Sequence, residues 1–98
     1  MMHTQKIMNQ KLTKLFYKLS YFVKNWSDRE VNPFMTKDEM IAFIIEHLDC
    51  APRLAREKII FLQAKRWIFS NQFERDKYYI SIPMTEEFLR INEGDNGN

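Results

Sequence analysis

The first 93 residues of this chain contain no glycine; the only two, Gly94 and Gly97, sit in the last five positions. Glycine is the default residue where backbone must turn through positive φ or approach a phosphate closely. A P-loop and a dinucleotide-binding turn both need it, so neither motif is present and nucleotide-dependent chemistry is not expected. The same lack argues against a tight two-residue hairpin turn. Any hairpin here is expected to close through a longer loop, roughly Ser70 to Asp76.

The 98 residues suit one domain, small enough to gain from dimerisation. With 45% apolar residues, among them eight Phe, four Tyr and two Trp, material for a core is ample. No apolar run approaches the roughly 18 residues of a membrane span. The lysines near the N-terminus precede no continuous apolar segment of the secretory type. These features and the lone Cys50 fit a reducing, cytoplasmic or nucleoid-associated setting with no membrane partner.

Helical periodicity covers 5–27. Met8, Leu12, Leu15, Leu19, Phe22 and Trp26 recur at spacings of four, three, four, three and four, which is a heptad seam. Lys11, Lys14, Lys18 and Lys24 lie mostly off it. The seam is expected to pack on the chain's own domain or to pair with a second copy in a homodimer. Residues 27–35, with Asn32-Pro33, read as a connector. Thr36-Lys37-Asp38-Glu39 is a capping box starting a helix to about Leu48. Met40, Ile41, Phe43, Ile44, Ile45 and Leu48 make that helix apolar over most of its circumference, hence central.

After the turn Asp49-Cys50-Ala51, Pro52 suits the first position of a helix spanning 52–66. Ala55, Ile59 and Leu62 share its inward face; Arg53, Arg56, Glu57 and Lys58 include outward positions. Trp67-Ile68-Phe69 and Lys77-Tyr78-Tyr79-Ile80-Ser81-Ile82 read as two antiparallel strands of a hairpin over 67–82. A short helix over 85–91 and a disordered tail over 92–98 complete the single domain.

This order, with the spacing Ala55, Ile59, Leu62, Ile68 and Tyr79-Ile80, resembles the winged helix-turn-helix domains of small transcriptional regulators, including plasmid and viral ones. The resemblance implies a mainly α fold with a β-hairpin. It also implies that the 52–66 helix of a homodimeric regulator enters the major groove of duplex DNA while the hairpin acts as a wing. The residues placed on DNA are then Arg53, Arg56, Glu57, Lys58, Asn71, Gln72, Arg75 and Lys77; those placed at the dimer seam are Met8, Leu12, Leu15, Leu19, Phe22 and Trp26. Arg66 stands where such helices commonly end in glycine. Ile60 and Phe61 stand where they are usually polar and are expected to lie under the N-terminal helix.

Charge is distributed in blocks. Residues 1–27 hold five lysines and no acid; 28–50 hold six acids and two bases; 51–79 hold seven bases and three acids. The overall balance is only +2, with a sequence pI near 8.7. That mild value, the acidic block and Ile60-Phe61 support an alternative, a protein-interaction module or small inhibitor of a larger machine. RNA binding through exposed Phe73, Tyr78 or Tyr79 comes third. Enzymatic chemistry is not expected. His47 and Cys50 lie three apart, but a structural zinc site needs four ligands and a nucleophilic pair needs an orienting third group. No metal or other cofactor is implied.

Overall fold

A computed structural model describes the backbone of residues 2–94 and the side chains of 11–93. Its elements, in order, are α1 (Met2–Lys24), β1 (Phe34–Thr36), α2 (Lys37–Leu48), α3 (Pro52–Ala64), β2 (Ile68–Asn71), β3 (Glu74–Ile80) and α4 (Ile82–Gly94). The chain is thus mainly helical with a small antiparallel sheet, an arrangement compatible with a winged helix.

The start of α2 follows from its four opening residues. The Glu39 amide donates to Thr36 Oγ1 at 3.2 Å, and the Thr36 amide donates to Glu39 Oε1 at 2.9 Å. These bonds, the Thr36 backbone one foremost, hold the Glu39 carboxyl below its ordinary pKa. The helix stops at Asp49, whose φ of 51° is left-handed and whose amide donates to the Ile45 carbonyl. Met40, Ile44 and Leu48 are buried, and α2 touches α1, α3, β1 and β3, so its central place is confirmed.

Helix α3 opens with Pro52 in its first turn and buries Ala55, Ile59 and Leu62 as the periodicity predicts. It ends at Ala64, two residues early, because Arg66 adopts φ 63°. The Arg66 amide donates to the Gln63 carbonyl and the Trp67 amide to the Leu62 carbonyl, at 3.0 and 2.9 Å. This is a Schellman termination with arginine where glycine costs least.

Several boundaries differ from expectation. The connector 27–35 ends in a strand, β1, which pairs with β3 in the order β1-β3-β2. Phe34 opposes Tyr79 and Thr36 opposes Lys77. Pro33, unable to donate, tolerates this edge position, and its carbonyl accepts from the Ile80 amide at 2.9 Å. The hairpin loop is also shorter than expected: Asn71 pairs with Glu74, leaving only Gln72 and Phe73. Asn71 Oδ1 accepts from the amides of Phe73 and Glu74, both at 2.8 Å, and neither loop residue needs positive φ. An asparagine side chain thus does what glycine does elsewhere. A bulge between Phe69 and Asn71 absorbs the mismatch.

The last helix begins at Ile82, ahead of Pro83 rather than at Thr85, since proline is tolerated in a first turn. Ser81 Oγ accepts from the Met84 amide at 3.3 Å there. Asn92 to Gly94, read as the start of a tail, are helical; residues 95–98 lie outside the described residues. Tyr21 Oη donates to Glu93 at 2.8 Å, tying this end to α1.

Helix α1 starts at Met2 and stops at Lys24, so Trp26 stands beyond it. It packs on α4 and α2. Leu15 and Leu19 are 0% exposed within a single chain. The centre of the heptad seam therefore faces the chain's own core, and those two leucines have no surface left for a second copy. Leu12, Phe22 and Trp26 are half-buried, and the Met8 side chain lies outside the described residues. Phe16 stacks on Trp67 with centroids 4.7 Å apart, and Phe88 meets both edge-on. This aromatic group joins α1, the α3–β2 junction and α4.

Candidate nucleic-acid interface

A helix turns about 100° per residue, so burial of Ala55, Ile59 and Leu62 fixes what the rest of α3 presents. Arg53, Glu57 and Ile60 point away from the core. Arg56 shares a stripe with Ile60 and Gln63; Gln63 lies against β2, lining a hollow with Ala64, Arg66, Ile68 and Phe69. Lys58 sits on the other flank with Leu54, and the two line a groove of about 240 Å³ together with Lys11 and Leu12 of α1, Leu48 and Cys50. Helix α3 is therefore bounded by the sheet on one side and by α1 on the other.

Arg53, Arg56 and Glu57 are exposed and Lys58 is half-buried. Among the described residues none of these four makes an ion pair; the two pairs present are Lys77–Glu74 and Arg90–Glu87. Ile60 is 66% exposed, so α1 does not cover it as expected. It falls on the side of α3 opposite Ala55, Ile59 and Leu62. Phe61 is half-buried, with the Lys58 and Lys65 ammonium groups 6.0 and 5.7 Å from its ring centre. Cations over an aromatic face keep their charge available while the ring stays partly shielded.

The hairpin divides its residues differently. Arg75 and Gln72 are exposed at and beside the tip, and Phe73 is 85% exposed. Asn71, also exposed, spends its side-chain oxygen on the turn. Lys77 is engaged: its Nζ lies 3.4 Å from Glu74 and 4.8 Å above the Phe34 ring. Tyr79 Oη donates to Glu74 Oε2 at 2.6 Å. That bond is the main reason the Glu74 carboxyl sits below its usual range and the Tyr79 hydroxyl above its own. Of the predicted hairpin contacts, Gln72 and Arg75 are unencumbered, whereas Asn71 and Lys77 already serve the fold.

Two arrangements were not foreseen. One is an aromatic row across the sheet, running Trp26, Phe34, Tyr79, Phe69 with successive centroids 5.4, 5.7 and 5.9 Å apart. Its signal was hidden because β1 was too short to recognise. The other is the lysine stripe of α1, whose spacing was legible but whose neighbours were not. Lys14 and Lys18 lie close enough to His47 to help lower its pKa, after burial as the largest cause and against the opposing charge of Glu46. The His47 ring meets Phe43 edge-on at 4.5 Å. No group of three or more His, Cys, Asp or Glu side chains is placed to hold a metal among the described residues. No helix among them is long and apolar enough to cross a membrane.

No protein-family profile matches the chain, and no curated protein or solved structure matches it significantly.

Proposed function

We propose that this chain is a winged-helix module that binds duplex DNA, with the outer side of α3 in the major groove and the β2–β3 hairpin beside it. The observation that carries this reading is that the exposed guanidinium groups of Arg53 and Arg56 on α3 and of Arg75 on the hairpin make no ion pair among the described residues. A charge left unpaired on a rigid helix is free to meet phosphate or a base edge, and arginine matches the paired acceptors of guanine. Arg53 and Arg56 also lie in the N-terminal half of α3, the part of the helix with which helix-turn-helix proteins make their base contacts.

The test is a salt titration of duplex binding. Affinity should fall linearly on a log–log plot, steepening by about 0.9 for each phosphate contact. Absence of duplex binding at 50 mM salt, or affinity indifferent to salt, overturns the reading. Arg56→Ala should cost about 1–3 kcal/mol of affinity for a preferred sequence if its guanidinium reads a base.

One observation favours a second reading, a protein-binding module. Ile60 lies in the middle of the same outer side at 66% exposure. An apolar side chain flanked by arginine is a common anchor arrangement at protein interfaces. Ile60→Asp separates the two: it would abolish a protein contact outright, while lowering DNA affinity no more than an added negative charge does at that distance.

A further inference from the structure

Helix α3 has two flanks, and the reading above uses only one. The hairpin borders it on the β2 side. On the opposite side, Lys58 and Lys11 line the same groove, together with Leu12, Leu48, Cys50 and Leu54. From Lys11 the positions Lys14 and Lys18 continue along α1 at three- and four-residue spacing, which places them on one side of that helix. All three are exposed. Residues 1–27 contain no acid, so α1 offers its own lysines no counter-charge. None of the three makes an ion pair among the described residues. Lys58 and Lys11 line one groove, and Lys14 and Lys18 carry the row of lysines along α1 toward His47 and Glu46 of α2.

The dimensions of this row suit one strand of a duplex. Seven residues of α-helix rise about 10 Å, and a nucleic-acid strand advances about 3.4 Å along the axis per charge. The row thus runs past about three phosphates. A groove that admits α3 has a phosphate strand on each side. With α3 in such a groove, the hairpin on one flank would meet one of these strands and the lysine row on the other flank would meet the second.

Resting on the duplex-binding reading, we propose that Lys11, Lys14 and Lys18 of α1, joined by Lys58, form a second line of phosphate contacts on the strand opposite the hairpin. The contacts carry no sequence information. They fix register and supply affinity, as backbone contacts do.

The experiment compares the full chain with the triple variant Lys11→Gln/Lys14→Gln/Lys18→Gln, each checked for unchanged thermal unfolding. Binding of a fluorescent duplex is followed by anisotropy between 50 and 200 mM salt. The log–log slope of the triple variant should be shallower by about 2.7, at about 0.9 for each of three contacts. Across that fourfold salt range the wild type should then lose about 40-fold more affinity than the variant. The corresponding triple arginine variant should keep the wild-type slope. Lys24→Gln, on the same helix but beside α4 and the 26–33 segment, should leave it unchanged.

A wild-type slope in the triple glutamine variant, with Arg53→Ala/Arg56→Ala still weakening binding, overturns this inference and leaves the duplex reading standing. An equal per-charge effect from Lys24→Gln also overturns it, since net charge alone would then account for the change. Failure of the wild type to bind duplex at 50 mM salt overturns both. If the triple glutamine variant instead loses binding to phosphatidylserine vesicles while its duplex slope is unaltered, the row belongs to a lipid surface and the inference fails.

Discussion

Helices α1 and α3 carry the same kind of pattern, an apolar stripe with basic residues around it, and the fold treats them differently. In α1 the stripe is closed over by α2 and α4, so Leu15 and Leu19 reach 0% exposure. In α3 the side toward α2 and β2 is covered and α1 reaches one flank, but Ile60 stays 66% exposed. A seam that reads as interchain can thus be consumed within one chain. Conversely, a helix needed for the core on one side can leave its opposite side bare. The bare side of α3 is where a partner has room, and its charges have no internal claim on them.

Substitutions break this comparison most directly at its buried pole. Leu19→Ala should destabilise the chain by about 2–5 kcal/mol in urea denaturation, because a cavity opens where nothing can collapse. Ile60→Ala should change stability by less than about 0.5 kcal/mol. Similar small losses at both positions would mean that the α1 stripe is not core at all. The basic residues give the mirror image. Arg56→Ala should leave the urea midpoint almost unmoved while weakening duplex binding by about 1–3 kcal/mol.

Helix starts sharpen the contrast further. Helix α2 has its capping box, whereas Ala51 at the start of α3 has extended φ and ψ of −72° and 156° but no side-chain bond to offer. Thr36→Ala should therefore cost about 1 kcal/mol and Ala51→Ser should gain a comparable amount. Arg66→Gly should add up to about 1 kcal/mol by relieving the left-handed strain, also read from the urea midpoint.

The smallest effect concerns pH. His47 titrates below its ordinary value, chiefly through burial and then through Lys18 and Lys14. The folded chain therefore binds this proton less readily than the unfolded one. Its contribution to stability is complete well above pH 6.5, declines as pH falls through that value, and levels off below the folded pKa. His47→Gln should flatten that part of the stability curve between pH 7.5 and 5.5.

What could be read in advance was what depends on neighbours in sequence. The Thr36–Glu39 box, Pro52 as a helix start and the inward trio of Ala55, Ile59 and Leu62 are local signals, and all three stand. Strand β1 escaped because three residues carry no periodicity, and its existence depends on pairing with Tyr79 more than forty residues away. The short loop is not legible because the absence of glycine argues for a longer one, whereas Asn71 bonds the turn through its side chain. At the candidate interface, exposure of Arg53, Arg56 and Arg75 followed from position alone. The commitments of Lys77 to Glu74 and Phe34 did not, since they depend on which strands lie side by side.

The left-handed Arg66 has a mechanical consequence. Immediately after it, Trp67 donates its amide to Leu62, accepts from the Ser81 amide at 2.8 Å, and stacks its ring on Phe16. Helix and hairpin are thus welded at a set angle, with α1 and α4 bracing the weld. A partner docking on them would meet a two-pronged surface whose opening was set during folding, and would surrender little motional freedom on contact.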